Sequence, residues 1–112
     1  MSVAETAPSA VYAAFKQRRE IALLDVREEA VYATGHPLFA ASLPLGRMEL
    51  EIYDRVPRRS AQVVCYDDGR GAAASAVGLL ESLGYSQASM LHGGLQAWAE
   101  AGFEFQNLPS ER

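Results

Sequence analysis

Apolar residues along the chain follow two kinds of pattern, and the two kinds alternate. Short, nearly continuous apolar runs are typical of buried strands in a parallel sheet. Between these runs, apolar positions recur at the spacing of a helix face. The runs predict strands over 21–26, 62–66 and 88–91. The spacing predicts helices over 9–20, 28–33, 49–56, 72–83 and 95–101. This alternation predicts an α/β fold, with a central, mainly parallel sheet and helices on both faces.

Residues at the ends of these segments indicate where each element begins and stops. Ser9 is expected to cap the first helix, which finishes among basic residues suited to a helix C-terminus. Gly84 is expected to close the fourth helix. Turn chemistry is predicted over 35–38, and a brief extended piece with a proline over 42–45, at a sheet edge.

The composition predicts a water-soluble chain of one domain. Its 112 residues are 49% hydrophobic and 21% charged, so we expect a single domain over 1–112 with a core over about 9–103. Residues 104–112 are expected to be a frayed tail or the stub of a linker to another module. The net charge of −4 without a basic cluster argues against nucleic acid as a partner. Because no apolar run approaches the roughly 20 residues of a membrane span, and no basic-then-apolar leader is seen, we expect no membrane contact and a cytoplasmic location.

The chain has one cysteine, Cys65, and two histidines. One cysteine excludes an internal disulfide and a cysteine-based zinc cluster. Two histidines are too few for a convincing metal site, so we expect neither a metal nor a cofactor. Cys65 is either a buried apolar thiol or a reactive nucleophile, and alternation along the strand 62–66 favours the buried position.

The polar, glycine-containing loop after the strand 62–66 is the expected site. In open α/β sheets, ligands bind outside the carboxyl ends of the strands. Backbone N–H groups of this loop, with the start of the next helix, make a cradle that favours an anion such as a thiolate, a persulfide or a phosphate. The candidate loop residues are Asp67, Asp68, Gly69, Arg70, Gly71 and Ala72.

Several short motifs, in a fixed order, resemble the landmarks of the rhodanese family. They are Leu24-Asp25-Val26-Arg27, Gly35-His36-Pro37, the loop 66–71, Leu83-Gly84-Tyr85, Leu91-His92-Gly93-Gly94-Leu95-Gln96-Ala97-Trp98 and Ala101-Gly102. The resemblance covers roughly residues 9 to 103 and implies the three-layer rhodanese-like fold. Active members carry a catalytic cysteine at the first position of the loop. That cysteine takes a sulfane sulfur from thiosulfate or mercaptopyruvate and passes it to a thiophile such as cyanide.

By the family's usual spacing to Gly84, the nucleophile position here is Asp67. This loop resembles the loop in the non-catalytic half of two-domain sulfurtransferases. It also resembles the corresponding loop in modules of proteins that contain several rhodanese domains. A carboxylate suits the cradle, but it cannot store sulfur as a persulfide and it repels thiosulfate. The resemblance therefore implies a non-catalytic module with a binding, scaffolding or regulatory role. Its expected partners are other rhodanese modules or a sulfur-carrier protein.

Two enzymatic alternatives stay open. Arg70 lies five residues after Cys65, which resembles the spacing of cysteine to loop arginine in active members, so Cys65 is the alternative nucleophile for a small sulfur anion. Against it, the distance from Cys65 to Gly84 is two residues too long. A phosphatase-like or arsenate-reductase-like relative would need an arginine where Gly71 or Ala72 stands.

Four polar residues are candidates for supporting the site. Asp25 and Arg27 are expected to form a structural anchor at the end of a strand. His36 matches the family's glycine-histidine turn, where it orders a loop. Arg47 is either an anion contact from the middle segment or an exposed solubilising charge.

Overall fold

A computed structural model of the chain describes residues 3–69, 71–103 and 105–106. Its strands are β1 (Glu5–Thr6), β2 (Ile21–Asp25), β3 (His36–Pro37), β4 (Ala40–Ser42), β5 (Gln62–Tyr66), β6 (Ala88–Leu91) and β7 (Phe105–Gln106). Its helices are α1 (Pro8–Lys16), α2 (Glu29–Thr34), α3 (Met48–Arg55), α4 (Ala72–Ser82) and α5 (Gly94–Glu100). A 3-10 turn over Leu45–Arg47 precedes α3. Within the described residues, no helix has the length and apolar character needed to cross a membrane.

The main sheet has five parallel strands in the order β1-β6-β5-β2-β4. Its two faces are each covered by helices, which confirms the predicted fold class. Val63 and Cys65 of β5 pack with α3 and α4 on one face. Val64 and Tyr66 pack with Val11 of α1 and Trp98 of α5 on the other. Burial on both faces explains why the strands are continuous apolar runs.

Three two-residue strands are absent from the prediction. β1 adds a parallel strand to the sheet edge beside β6. β3 lies in the segment predicted as a turn, and it pairs antiparallel with β7. The prediction of a frayed tail is therefore wrong for 105–106, whose backbone is paired, whereas 104 and 107–112 lie outside the described residues. A segment of two residues is too short to show the periodic pattern from which a strand is predicted.

The bounds of α1 differ from the prediction at both ends. The helix begins at Pro8, after Ala7, and no side chain caps it. Proline suits this first position because its fixed φ is already helical and the missing N–H has no partner to lose. The helix ends at Lys16 rather than near residue 20, since the chain reverses at Arg18, which has a φ of 59°. The predicted cap at Ser9 is therefore wrong.

The other helices begin and end within one residue of their predicted bounds. The extended piece predicted over 42–45 is also displaced. The strand β4 ends at Ser42, and the 3-10 turn begins at Leu45. Pro44 sits between them, where its fixed φ fits the start of the turn.

Two glycines provide a matched test of the fold. Gly93 has a φ of +75°, and a Cβ atom there would lie 2.5 Å from the Cβ of Ala97. Gly78 lies inside α4, and a Cβ atom there would meet no heavy atom within 4 Å. We expect Gly78→Ala to raise the free energy of unfolding by about 0.5–1 kcal/mol. Gly93→Ala should lower it by at least about 1–2 kcal/mol, from the left-handed backbone alone.

Urea denaturation followed by the fluorescence of Trp98 measures both changes. Shifts of the two variants in the same direction would contradict this account of the backbone.

Candidate functional site

A buried carboxylate lies where β2 and β5 end side by side. Asp25 is fully buried and is paired in register with Tyr66. Its Oδ2 accepts a hydrogen bond of 2.6 Å from the Tyr66 hydroxyl. Arg27 donates from Nε to Oδ1 at 2.9 Å and from its terminal nitrogen to Oδ2 at 2.5 Å. A buried carboxylate is stable only with such partners.

The same network connects three segments of chain. Besides its bonds to Asp25, the terminal nitrogen of Arg27 donates to the Gly35 carbonyl at 2.9 Å, immediately before β3. The hydrogen bond to Asp25 raises the pKa of Arg27. Burial, with the hydrogen bond to Asp25, raises the pKa of Tyr66 far above its ordinary value. Arg27 therefore stays charged and Tyr66 protonated, and both are engaged in holding this end of the sheet together.

The loop after β5 closes around its own first residue. The carboxylate of Asp67 accepts hydrogen bonds of 2.7 Å from two backbone amides, Gly69 N–H to Oδ1 and Ala73 N–H to Oδ2. Ala73 lies in the first turn of α4, where N–H groups have no partner within the helix. Asp67 is only 8% exposed. An anion therefore occupies the amide cradle, and that anion is a side chain of the loop itself.

The loop is also held from the side of α5. The Leu95 N–H donates to the Asp67 carbonyl at 3.4 Å. A Cβ atom at Gly94 would lie 3.3 Å from the same carbonyl oxygen, and the φ of Gly94 is +63°. Glycine at this position lets the start of α5 approach the loop closely.

Two cavities flank the loop, and Asp67 and Asp68 line both of them. The first encloses about 520 Å³ between the loop, the end of β6 and α5, with Glu5 at its edge. The second encloses about 350 Å³ between the loop, the end of β2 and the 3-10 turn, and Glu28 lines it. Asp67 and Asp68 thus lie between the two clefts.

The thiol of Cys65 lies away from both clefts. Its side chain is fully buried in the cluster between the sheet and the helices α3 and α4. It is not among the described residues that line either cavity. Burial raises the pKa of Cys65 from 9.0 to about 12. Because the unfolded chain releases this proton at a lower pH than the native one, Cys65 lowers the free energy of unfolding as the pH rises from about 9 to 12.

The described contacts of two further candidates, His36 and Arg47, are with residues outside the loop. His36 stacks on Tyr32 with ring centroids 3.8 Å apart. Arg47 lies 3.6 Å from carboxylate oxygens of Glu29 and Glu51, and its side chain is 45% exposed. Neither is among the residues that line the two cavities beside the loop. Gly71 precedes α4 with a φ of +91°, Ala72 lines the second cavity, and Arg70 lies outside the described residues.

Sequence reasoning misses Tyr66 and the contact of Gly94 with the loop. The apolar run places Tyr66 in a strand and indicates no polar role for it. Its position at the end of β5, opposite Asp25, can be known only from the register of β2 and β5. The glycine pair 93–94 indicates a turn, and only the folded chain shows what that turn approaches.

Comparison with known proteins decides the family. The family model of the rhodanese-like domain matches residues 7–101. The chain belongs to the rhodanese-like family. This membership agrees with the fold, with its parallel sheet between two layers of helices, and with the order of motifs in the sequence.

Solved structures of rhodanese-like proteins are similar over most of the chain. A thiosulfate sulfurtransferase from Pseudomonas aeruginosa is 51% identical with a TM-score of 0.91, over 94% of this chain and 20% of that chain. The present chain thus spans a fifth of that protein's length. A rhodanese-like domain of the Alr3790 protein from Anabaena sp. is 30% identical with a TM-score of 0.71, over 84% of this chain and 96% of that one. No curated protein matches the chain.

We expect the buried network to contribute strongly to the stability of this rhodanese-like domain. Asp25→Ala leaves the Arg27 guanidinium, whose side chain is 8% exposed, without its counter-charge. The free energy of unfolding should fall by about 3–5 kcal/mol. Asp54→Ala, which removes an exposed carboxylate from α3, should change it by less than about 0.5 kcal/mol. Urea denaturation compares the two, and equal effects would contradict the role of the network.

We also expect the Cys65 thiol to be inert in the native state. A thiol with a pKa of about 12 is almost wholly protonated at pH 8. Reaction with a chromogenic disulfide reagent at pH 8 should therefore be at least about 100-fold slower in buffer than in urea. Reaction in buffer at the rate seen in urea would show that the thiol is accessible and ionised.

Proposed function

We propose that this rhodanese-like sulfurtransferase domain is a non-catalytic module of a larger sulfurtransferase, with a binding or scaffolding role. The observation that carries the proposal is the carboxylate of Asp67, bonded to the amides of Gly69 and Ala73. By the resemblance described above, active members place their cysteine at this position. Here the amides that would stabilise a thiolate or persulfide hold a carboxylate instead.

A carboxylate at this point is chemically silent toward sulfur transfer. The reaction needs a soft nucleophile that attacks a sulfane sulfur and then keeps that sulfur as a persulfide. A carboxylate oxygen is a hard, weak nucleophile and forms no stable bond of this kind. Asp67 therefore fills the place of the nucleophile without its chemistry.

The charges around the loop also disfavour an anionic sulfur donor. Asp67 and Asp68 line both cavities, with Glu5 beside the first and Glu28 beside the second. Among the described lining residues the one basic side chain is Arg27, which is engaged by Asp25. The described carboxylates that line the cavities would repel thiosulfate, which is a dianion.

Cys65 is the alternative nucleophile, and its surroundings oppose that role. Persulfide formation begins with attack by a thiolate. The thiol of Cys65 is fully buried against α4, and its pKa is raised to about 12. Attack would require both a rearranged core and an ionised thiol at neutral pH.

The similarity to the Pseudomonas aeruginosa thiosulfate sulfurtransferase supports a place in a longer protein. This chain aligns over 94% of its length with only a fifth of that enzyme, at 51% identity. A module of such a protein would meet other rhodanese modules or a sulfur-carrier protein as its partners. The cytoplasm, with its small thiols, is the compartment that we propose for it.

We expect the domain to form no thiocyanate from thiosulfate and cyanide above the background of the Cys65→Ser variant. The reason is that the loop contains no cysteine, and the one thiol of the chain, that of Cys65, is buried. Colorimetric detection of thiocyanate measures the rate. Turnover in the wild-type chain that Cys65→Ser abolishes would overturn the proposal in favour of an active sulfurtransferase.

A cysteine placed in the cradle should take up sulfur. In Asp67→Cys, combined with Cys65→Ser, the thiolate attacks the outer sulfur of thiosulfate, the sulfur–sulfur bond breaks, and sulfite leaves. The two amides and the start of α4 should lower the pKa of this new thiol below the ordinary value of about 8.5.

Intact mass spectrometry detects the added sulfur atom, and alkylation as a function of pH gives the pKa. Asp68→Cys with Cys65→Ser is the matched control, because it places an exposed thiol in the same loop. If Asp67→Cys titrates like a free cysteine and gains no sulfur, the cradle does not stabilise anions as proposed.

A further inference from the structure

The chain turns back across the domain after α5. Gly102 follows the helix with a φ of +78°, a left-handed conformation that favours glycine. The ring of Phe103 then stacks on Tyr12 of α1, with centroids 4.3 Å and planes 4° apart, and packs against Trp98 of α5 in a T-shaped pair with centroids 5.2 Å apart. Aromatic pairs attract each other beyond the apolar area that they bury. Phe103 therefore anchors the chain where it leaves α5.

The anchored end of the chain supplies the partner strand of β3. The strand β7 pairs antiparallel with β3, His36 with Gln106 and Pro37 with Phe105. Within the described residues, β3 pairs with no other strand. Two short strands that pair only with each other are marginally stable in water, so this pairing depends on what anchors each of them. We call Phe103 and β7 together the strap.

The strand β3 begins beside the buried network of the site. The carbonyl of Gly35, the residue before β3, accepts a hydrogen bond of 2.9 Å from the terminal nitrogen of Arg27. The same guanidinium group binds Asp25, which accepts the hydrogen bond of Tyr66, and the loop begins at the next residue. A buried donor that loses its acceptor costs free energy. A displacement of β3 would therefore act on Arg27 and, through Asp25, on the start of the loop.

A second contact of β3 is local in the sequence. His36 stacks on Tyr32, which lies in α2. This contact fixes β3 relative to α2, whereas the strap joins β3 to α1 and α5 through the ring of Phe103. The strap is thus the connection between β3 and the part of the chain that follows α5.

We propose that the strap controls how firmly the buried network holds the loop. When the strap is docked, β3 presents the Gly35 carbonyl to Arg27. When the strap detaches, β3 is released and that hydrogen bond opens. A segment held by one ring and two pairs of strand residues opens at a lower free energy than the core, so the strap has a docked and a detached state. A ligand that binds only the detached strap would shift the loop toward its looser state.

Native-state hydrogen exchange of the isotopically labelled chain, followed by NMR, tests the strap. The Arg27 Nε–H reports on the network, the Gly69 N–H reports on the loop, and the Val64 N–H, in the middle of the central strand β5, reports on global unfolding. In Phe103→Ala, exchange at Arg27 should accelerate at least about tenfold more than exchange at Val64. At Gly69 the excess over Val64 should be at least about threefold.

The matched control is Leu79→Ala. It truncates a partly buried apolar side chain of α4, which packs on the opposite face of the sheet from Phe103. It should accelerate exchange at all three positions by the same factor, because it lowers global stability without touching the strap. If Phe103→Ala does not fold, Phe103→Leu takes its place. That variant keeps apolar volume but loses the ring stacking, and the excess at Arg27 should be at least about threefold.

Equal acceleration at Arg27 and Val64 in the Phe103 variant, or the same excess in Leu79→Ala, would overturn the control of the network by the strap. An excess at Arg27 without one at Gly69 would overturn its effect on the loop. The measurement involves no sulfur donor, so neither result bears on the proposed function.

Discussion

Two backbone amides and one carboxylate shape the site of this domain. The N–H groups of Gly69 and Ala73 point at the same place, and Asp67 supplies an oxygen to each. Amides at the start of a helix need an acceptor, and an anion satisfies them best. Because the acceptor belongs to the loop, the loop is closed by its own first side chain. The closed loop lies between the two clefts.

The contrast between Cys65 and Asp67 is one of position along the chain. Alternation in β5 turns Cys65 toward α4 and Tyr66 toward the opposite face. Two residues of strand advance the chain by ~6.6 Å. That distance separates Cys65, which is enclosed in the core, from Asp67, which lies beyond the carboxyl end of β5 and contacts the first turn of α4. The thiol of Cys65 is therefore buried and protonated, whereas the carboxylate of Asp67 meets two amides.

Much of this arrangement is accessible from the sequence. The bounds of β5 and β6 follow from their apolar runs, and the position of Asp67 at the start of the loop follows from spacing. The bonds of Asp67 do not follow, because they depend on how the loop folds back on α4. The Tyr66–Asp25 hydrogen bond depends on the register of two strands, and its partners are 41 residues apart.

Short-range pattern also cannot supply β1, β3 and β7, which are defined by their partners alone. Arg47 shows the same limit. Its charge suits an anion contact, but its guanidinium group lies 3.6 Å from the carboxylates of Glu29 and Glu51. Local sequence thus predicts elements and candidate chemistry, whereas the partners of a charged side chain are set by the packing of whole elements.

Occupancy of the cradle by Asp67 is the claim on which the account depends, and the amide resonances of Gly69 and Ala73 report on it directly. In the labelled wild-type chain, both resonances should remain unchanged as thiosulfate is added at constant ionic strength, because an anion is already bound to these N–H groups. Saturable, matched movement of the two resonances would show that the amides are free to bind a sulfur anion, and would contradict the account.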